Sequence, residues 1–320
     1  SLSIMDIIHP YMGKAHIGML INKVMAMNKF FGNKLAIFIF SFPALLLFTV
    51  YVIYPVFPEI LISFQKNDGF RNMGYVGFKN YIDVLQDKTF WKANLNTFYI
   101  VFVSTFIALP ISLLFALIMD RMSEPMKRFF KFSSVFPAVI SVTVIAQMWI
   151  AIYEPMWGLL NSILRALGLD NLALAWLSDS RTVVPAIAVA FLWQYLGLNA
   201  LLFYTGIKAI PKTYYEAAML DGAGFFRASL KITIPLLQDV TKYLLVLSIL
   251  GCMAQFAHVR IMTAGGPGDI SRTVVYHMYY VAFSVSDFGR GCAIAIIFVI
   301  ECLILTFIIN KFVARERIEF

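Results

Sequence analysis

The chain has 320 residues, 60% hydrophobic and only 14% charged, with a mean hydropathy of +0.78. Soluble domains average roughly 45–50% apolar and about 25% charged residues, so a soluble fold is excluded and an all-α polytopic membrane protein is expected. The formal net charge of +8 does not point to nucleic acid, because membrane proteins gather Lys and Arg in cytoplasmic loops and their pI rises as a by-product.

Residues 1–34 are too polar to span a bilayer. In "HIGMLINKVMAMNKFF", Ile17, Leu20, Ile21, Val24, Met27 and Phe31 recur at helical spacing against Asn22, Lys23, Asn28 and Lys29. That pattern predicts an amphipathic helix on the inner membrane surface; a regulatory or partner-docking arm is the alternative. No signal-peptide cleavage pattern is visible. Six apolar runs follow, at 35–57, 94–119, 129–153, 183–207, 236–259 and 291–313. Each covers the ~20 residues that a bilayer needs. Prolines such as Pro110 and Pro137 are tolerated there because neighbouring helices satisfy the freed carbonyls.

With the N-terminus inside, the cytoplasmic segments hold fifteen Lys and Arg and the outer segments ten. The asymmetry predicts that both termini face the cytoplasm. The outer loops are then 58–93, 154–182 and 260–290, and 208–235 is a cytoplasmic loop. That loop contains "IPKTYYEAAMLDGAGFFRASLKITIP". Pro211 pre-sets φ for a helix start, and Glu and Ala are good helix formers. Asp221–Gly222 stops the helix, because glycine takes the left-handed conformation a helix end favours. A second short helix is expected over 224–231. A first helix of about nine residues is ~13 Å long and too short to stand alone in water. Ala217 and Ala218 make one side thin, Tyr214, Tyr215 and Met219 give apolar grip, and Glu216 offers a charge. Docking into another protein and folding back on the same chain both fit these residues.

The spacing Glu216-Ala217-Ala218, then Gly222, then Ile232, Ile234 and Pro235 resembles the EAA loop of permease subunits of bacterial ABC importers. The likeness extends over roughly 35–320. "YPVFPEILISF", "GYVGFKNYIDVL" and "FWKANLNTFYI" resemble the first third of maltose-type carbohydrate-uptake permeases. "WLSDSRTVVPAIAVAFLWQYLGLNALLFYTGIKAIPKTYYEAA" continues the match. "TAGGPGDISRTVVYHMYYVAF" followed by "DFGRGCAIAI" resembles the outer loop and last span of the first permease of such pairs. The resemblance implies a type I importer permease fold in the bacterial inner membrane. It also implies a second homologous permease, two ATP-binding subunits that hold ATP and Mg, and a periplasmic solute-binding protein. Tyr214, Tyr215, Glu216, Ala217, Ala218, Met219, Asp221 and Gly222 would then form the coupling helix that sits in a cleft of the ATPase.

The chain itself carries no phosphate-loop motif; "MGKAH" at 12–16 lacks the upstream glycine and the Ser or Thr. No catalytic constellation stands out, and the chain is read as a non-enzyme without a cofactor of its own. The three cysteines, Cys252, Cys292 and Cys302, form no metal or disulfide pattern. The histidines, His9, His16, His258 and His277, are scattered and read as satisfied packing or loop residues. Polar residues inside spans are costly unless they face protein or water. Gln147, Trp193, Gln194, Tyr195, Asn199 and Gln255 are therefore candidates for the substrate path, since amides bond hydroxyls and flat rings cover sugar faces. Interhelical hydrogen bonding is the competing role. Asp239 and Lys242 are expected to pair near the inner end of the fifth span. Glu301 is the sharpest intramembrane charge. It supports an alternative, a proton-coupled secondary carrier, beside a structural reading; a pure membrane scaffold is a third. The substrate reads as a sugar or oligosaccharide, with an acidic alginate-type fragment among the candidates.

Overall fold

The computed structural model describes residues 34–313; the expected amphipathic segment lies almost wholly outside them. The chain divides into two units, Ser1–Leu61 and Ile62–Phe320. The first carries most of α1 (Ile37–Ser63), a span of mean hydropathy 2.3 that is apolar all round, as lipid-facing helices are. Its turns widen to a π-helix over Thr49–Ile53, where the following Pro55 supplies no N–H to the ladder.

In the second unit a hairpin, β1 (Gln65–Asn67) and β2 (Asn72–Tyr75), leads to a short helix, α2 (Lys79–Gln86). The second span, α3 (Lys88–Arg121), starts earlier than the apolar pattern predicts. Asp87 explains this: its carboxylate caps the helix by accepting from the Thr89 N–H at 2.8 Å. A π-helical stretch interrupts α3 at Val103–Ile107, just before Pro110.

The run at 129–153 is not one straight helix. It divides into α4 (Glu124–Val139) and α5 (Val142–Ile152), which meet at 99°. Ile140 is extended, and Ser141 starts the new helix by accepting from the Thr143 N–H at 3.3 Å. Helix α6 (Leu159–Ala166) follows in the next loop. The fourth span, α7 (Val183–Ala209), packs along α3 and α4. At Gly197 the α4 backbone comes so near that any Cβ would collide with the Ser134 carbonyl; glycine lets the two backbones touch, as small residues do in membrane helix pairs.

The loop after α7 holds α8 (Lys212–Leu220) and α9 (Phe225–Ala228). The expected helix over 224–231 is α-helical only to Ala228 and continues as a π-turn over Ser229–Thr233. The fifth span runs from Gln238 to Met262. It breaks between α10 (Gln238–Met253) and α11 (Ala257–Met262). The expected Asp239–Lys242 ion pair is not found among the described residues; Lys208 pairs with Asp120, which ties the C-terminal end of α7 to that of α3. Helix α12 (Val274–Tyr279) and the last span, α13 (Phe288–Val313), complete the chain. Among the described residues, five helices are long and apolar enough to span, and six spans result if α4 and α5 count as one.

Three apolar clusters hold this unit. Met119, Phe203, Leu237 and Leu244 pack at the α8 end. Ile100, Ile187, Met253 and Val259 pack in the middle. Val84, Phe90, Val274 and Ile294 pack at the opposite end, where α2 and α12 meet α13.

Candidate functional site

One end of the span bundle is built around α8. Pro211 precedes its first residue in an extended conformation. On one face, Tyr215 and Ala218 turn inward. The Tyr215 hydroxyl lies 3.1 Å from Thr233 Oγ1, and Ala218 is 9% exposed. On the other face Tyr214, Glu216, Ala217, Met219 and Leu220 are exposed, Leu220 by 91%. Ala218 therefore packs on this chain, and only Ala217 presents the thin outward side expected of the alanine pair. The helix ends in a Schellman cap: the Ala223 N–H reaches the Ala218 carbonyl at 2.8 Å and the Gly222 N–H the Met219 carbonyl at 3.0 Å. Gly222 takes φ +72 there, as the sequence predicts. A cavity of about 440 Å³ lies behind α8, bounded by Asp120, Arg121, Tyr215, Met219, Phe225 and Thr233. Arg121 stacks on the Phe225 ring at 3.9 Å, so α9 is clamped to the inner end of α3.

A second cavity, of about 260 Å³, lies within the spans between α3, α7 and α10. Its wall includes Ser104, Tyr195, Asn199, Ser248 and Gly251. Ser104 sits in the π-helical stretch of α3. Ser248 donates to the Ser104 carbonyl at 3.3 Å and lies 3.3 Å from Thr105 Oγ1. These bonds engage the Ser248 hydroxyl and the Ser104 carbonyl, while the Ser104 hydroxyl has no hydrogen-bond partner, and no hydrogen bond inside the chain takes up the Asn199 amide among the described residues. The arrangement offers an amide, an aromatic face and hydroxyls, with no cation in the wall.

The other expected path residues lie elsewhere. Gln194 is buried in packing on α7. Gln255 is buried at the α10–α11 break, 3.3 Å from His258 Nδ1, with its carbonyl accepting from Thr273. Gln147 is exposed on α5. Trp193 is on the opposite face of α7, its ring centroid 5.9 Å from that of Trp149, at the edge of an apolar cavity of about 520 Å³. Ser104 and Ser248 escaped the sequence reading. A lone serine in an apolar run is common, and nothing local announces the π-stretch that sets Ser104 at the wall.

Glu301 is half-buried on α13, and its Oε2 atom is buried without a hydrogen-bond partner. Asn94, 3% exposed, faces it from α3. His258 packs edge-on against Phe191 at 5.6 Å. His277 lies 3.4 Å from Asp87, and burial holds it below its ordinary value, with the Asp87 charge opposing. Among the described residues, no three His, Cys, Asp or Glu side chains converge to hold a metal.

Residues 91–318 match the family described as binding-protein-dependent transport system inner membrane component. A probable ABC transporter permease protein of Bacillus subtilis, YurN, is 34% identical over 90% of this chain and 99% of its own length. The arabinooligosaccharides transport system permease protein AraP of the same organism is 31% identical over 88% of this chain and 90% of its own. Among solved structures, a bacterial ABC transporter involved in the import of the acidic polysaccharide alginate superposes with a TM-score of 0.76 at 19% identity. That match covers 91% of this chain and 98% of the other.

Proposed function

The chain belongs to the family of inner membrane components of binding-protein-dependent transport systems, and from that premise we propose that it forms half of the translocation pathway of an ATP-driven importer for sugars or oligosaccharides. It is a permease and not an enzyme; a binding protein and an ATPase work with it. We propose one homologous permease and two ATP-binding subunits, which hold the ATP and Mg, as its assembly. Residues 1–34 are taken as an inner-surface segment and 35–320 as the permease domain, with both termini in the cytoplasm.

The observation that carries this reading is the two-faced α8. Tyr215 and Ala218 fix it to this chain, while Glu216, Ala217, Met219 and Leu220 are exposed on its other face, beside Tyr214. Asp221 and Gly222 close its end. Movement of the ATPase would pull on this face and, through Thr233 and the Arg121–Phe225 clamp, reach α10 and α3. The in-span cavity lies between those same helices. Coupling needs two states that both sites bias, and here inward-open and outward-open cavities would be those states. Tyr195 and Asn199 are the proposed substrate contacts, joined by Ser104 and Ser248. Gln147, Trp193, Gln194 and Gln255 lie away from this cavity; Trp193, Gln194 and Gln255 would act through packing, and Gln147 stands on an exposed face of α5. A neutral oligosaccharide suits the wall; an acidic one such as an alginate fragment would need its counter-charge from the second permease.

The relatives favour this reading over a proton-coupled carrier working through Glu301. In the reconstituted complex, replacing Glu216 and Gly222 together should abolish stimulation of ATP hydrolysis by loaded binding protein. Unchanged stimulation in a properly assembled complex would remove α8 from this role.

A further inference from the structure

The loop that follows α1 ends in a stiff tip. In the hairpin, Gln65 lies opposite Tyr75 and Asn67 opposite Asn72. Its turn is locked by its own side chains. Asn67 Oδ1 accepts from the Gly69 N–H at 2.7 Å. Asp68 Oδ1 accepts from the Phe70 and Arg71 N–H groups at 2.9 and 2.7 Å. Asn72 Oδ1 accepts from the Gly74 N–H at 2.9 Å. Gly69 holds φ +92, a conformation that glycine adopts at no steric cost. At the apex Phe70 is 97% exposed, and Met73, Tyr75 and Phe78 are exposed on the same segment. A tip already fixed in shape loses little conformational entropy when a partner covers it.

The base of the hairpin is seated on the last span. Asn80 Nδ2 donates to the Ser63 and Gln65 carbonyls at 2.8 and 2.9 Å. In the first turn of α13, Gly289 approaches so closely that a Cβ would collide with the Gln65 carbonyl oxygen. A Cβ on Gly69 would touch the Phe288 ring at 3.6 Å. Two glycines therefore bring hairpin and span into direct contact, one at the apex turn and one at the seat.

We propose that Phe70 is the anchor by which the substrate-loaded binding protein docks on this chain, and that the Gly289 seat passes docking on to α13. This rests on the importer reading above and adds the surface and the route. Exposed aromatic anchors on a rigid frame are the residue type that dominates protein interfaces. A lipid surface fits the tip less well. The Phe70 and Arg71 N–H groups hold the Asp68 carboxylate below the usual carboxylate range, so a fixed negative charge stands beside Phe70. An ionised carboxylate is costly to carry into the hydrocarbon layer, whereas a protein pocket can leave Asp68 and Arg71 at its polar rim while it covers Phe70.

The test uses the complete complex in nanodiscs, with ATP hydrolysis followed against the concentration of sugar-loaded binding protein. Phe70→Ala should raise the concentration for half-maximal stimulation by about tenfold or more, as truncation of an aromatic anchor does, and Phe70→Tyr should restore most of it. Gly289→Ala should lower the plateau of stimulation instead, while pull-down of the binding protein persists. Hydroxyl-radical footprinting of the unaltered complex needs no variant: Phe70 should become protected only when loaded binding protein is added. Unchanged half-saturation in Phe70→Ala, or protection of Phe70 by the nanodisc or by the second permease alone, overturns the proposal and leaves the importer reading standing. Absence of any stimulation by binding protein in the unaltered complex defeats the importer reading itself.

Discussion

Helix α8 and the in-span cavity serve one proposed cycle, yet they are constructed in opposite ways. Helix α8 is local: its start at Pro211 and its cap at Gly222 follow from a dozen consecutive residues. The cavity is assembled from α3, α7 and α10, and its wall joins Ser104 to Asn199 and Ser248 across the chain. A change in α8 should therefore disturb coupling and spare substrate contact, while a change in the cavity should do the reverse.

The largest expected effect is Gly222→Val. A residue other than glycine in the left-handed region costs roughly 1–2 kcal/mol, and a β-branched one more, so the Schellman cap opens and α8 loses its fixed presentation. Uptake in reconstituted vesicles should fall at least tenfold, while binding-protein capture is retained. Asn199→Leu comes next. It removes the free amide from the cavity wall and should raise the sugar concentration for half-maximal uptake by up to about tenfold, one hydrogen bond being worth about 1 kcal/mol. ATP hydrolysis stimulated by loaded binding protein should stay within about twofold of the parent, a difference of under ~0.5 kcal/mol. If uptake fails through Asn199 and coupling fails with it, the division between the two regions is wrong.

Tyr215→Phe is a smaller change. It deletes only the contact with Thr233 and should cost about 1 kcal/mol, read as a melting midpoint lowered by roughly 2–4 °C with partial loss of stimulation. The smallest effect lies outside both regions, at His277. Its folded-state value is held below the ordinary 6.5 by burial, against the pull of Asp87 and with Arg272 and Arg290 adding to the depression. The unfolded chain thus binds the proton more readily than the folded one, so stability falls as pH drops through about 6.5 towards the folded value. Thermal unfolding of the complex should show that loss between neutral and mildly acid pH, and His277→Gln should flatten part of it.

The contrast also explains what could be read beforehand. Spans were legible because twenty apolar residues have few other fates in water. The nine residues of α8 were legible because its stop signal is a single glycine. The bend between α4 and α5 was not: Ile140 and Ser141 interrupt an apolar run without changing its composition. Gln194 and Gln255 looked like path residues because a polar side chain in a span must face something; that they face packing was decided by helix rotation. Ala217 and Ala218 looked alike because both are small, and only packing against the rest of the chain buries Ala218.

By itself, then, the sequence determined that the chain lives in a bilayer, where most of its spans lie, and where a short capped helix interrupts them. Those are consequences of hydropathy and of local backbone preference. Only the tertiary structure decided which face of α7 lines a cavity, that a π-stretch brings Ser104 to its wall, and that the Gln65 carbonyl rests on Gly289. These depend on how helices distant in sequence rotate and approach, and an apolar span looks alike from every side until its neighbours are in place.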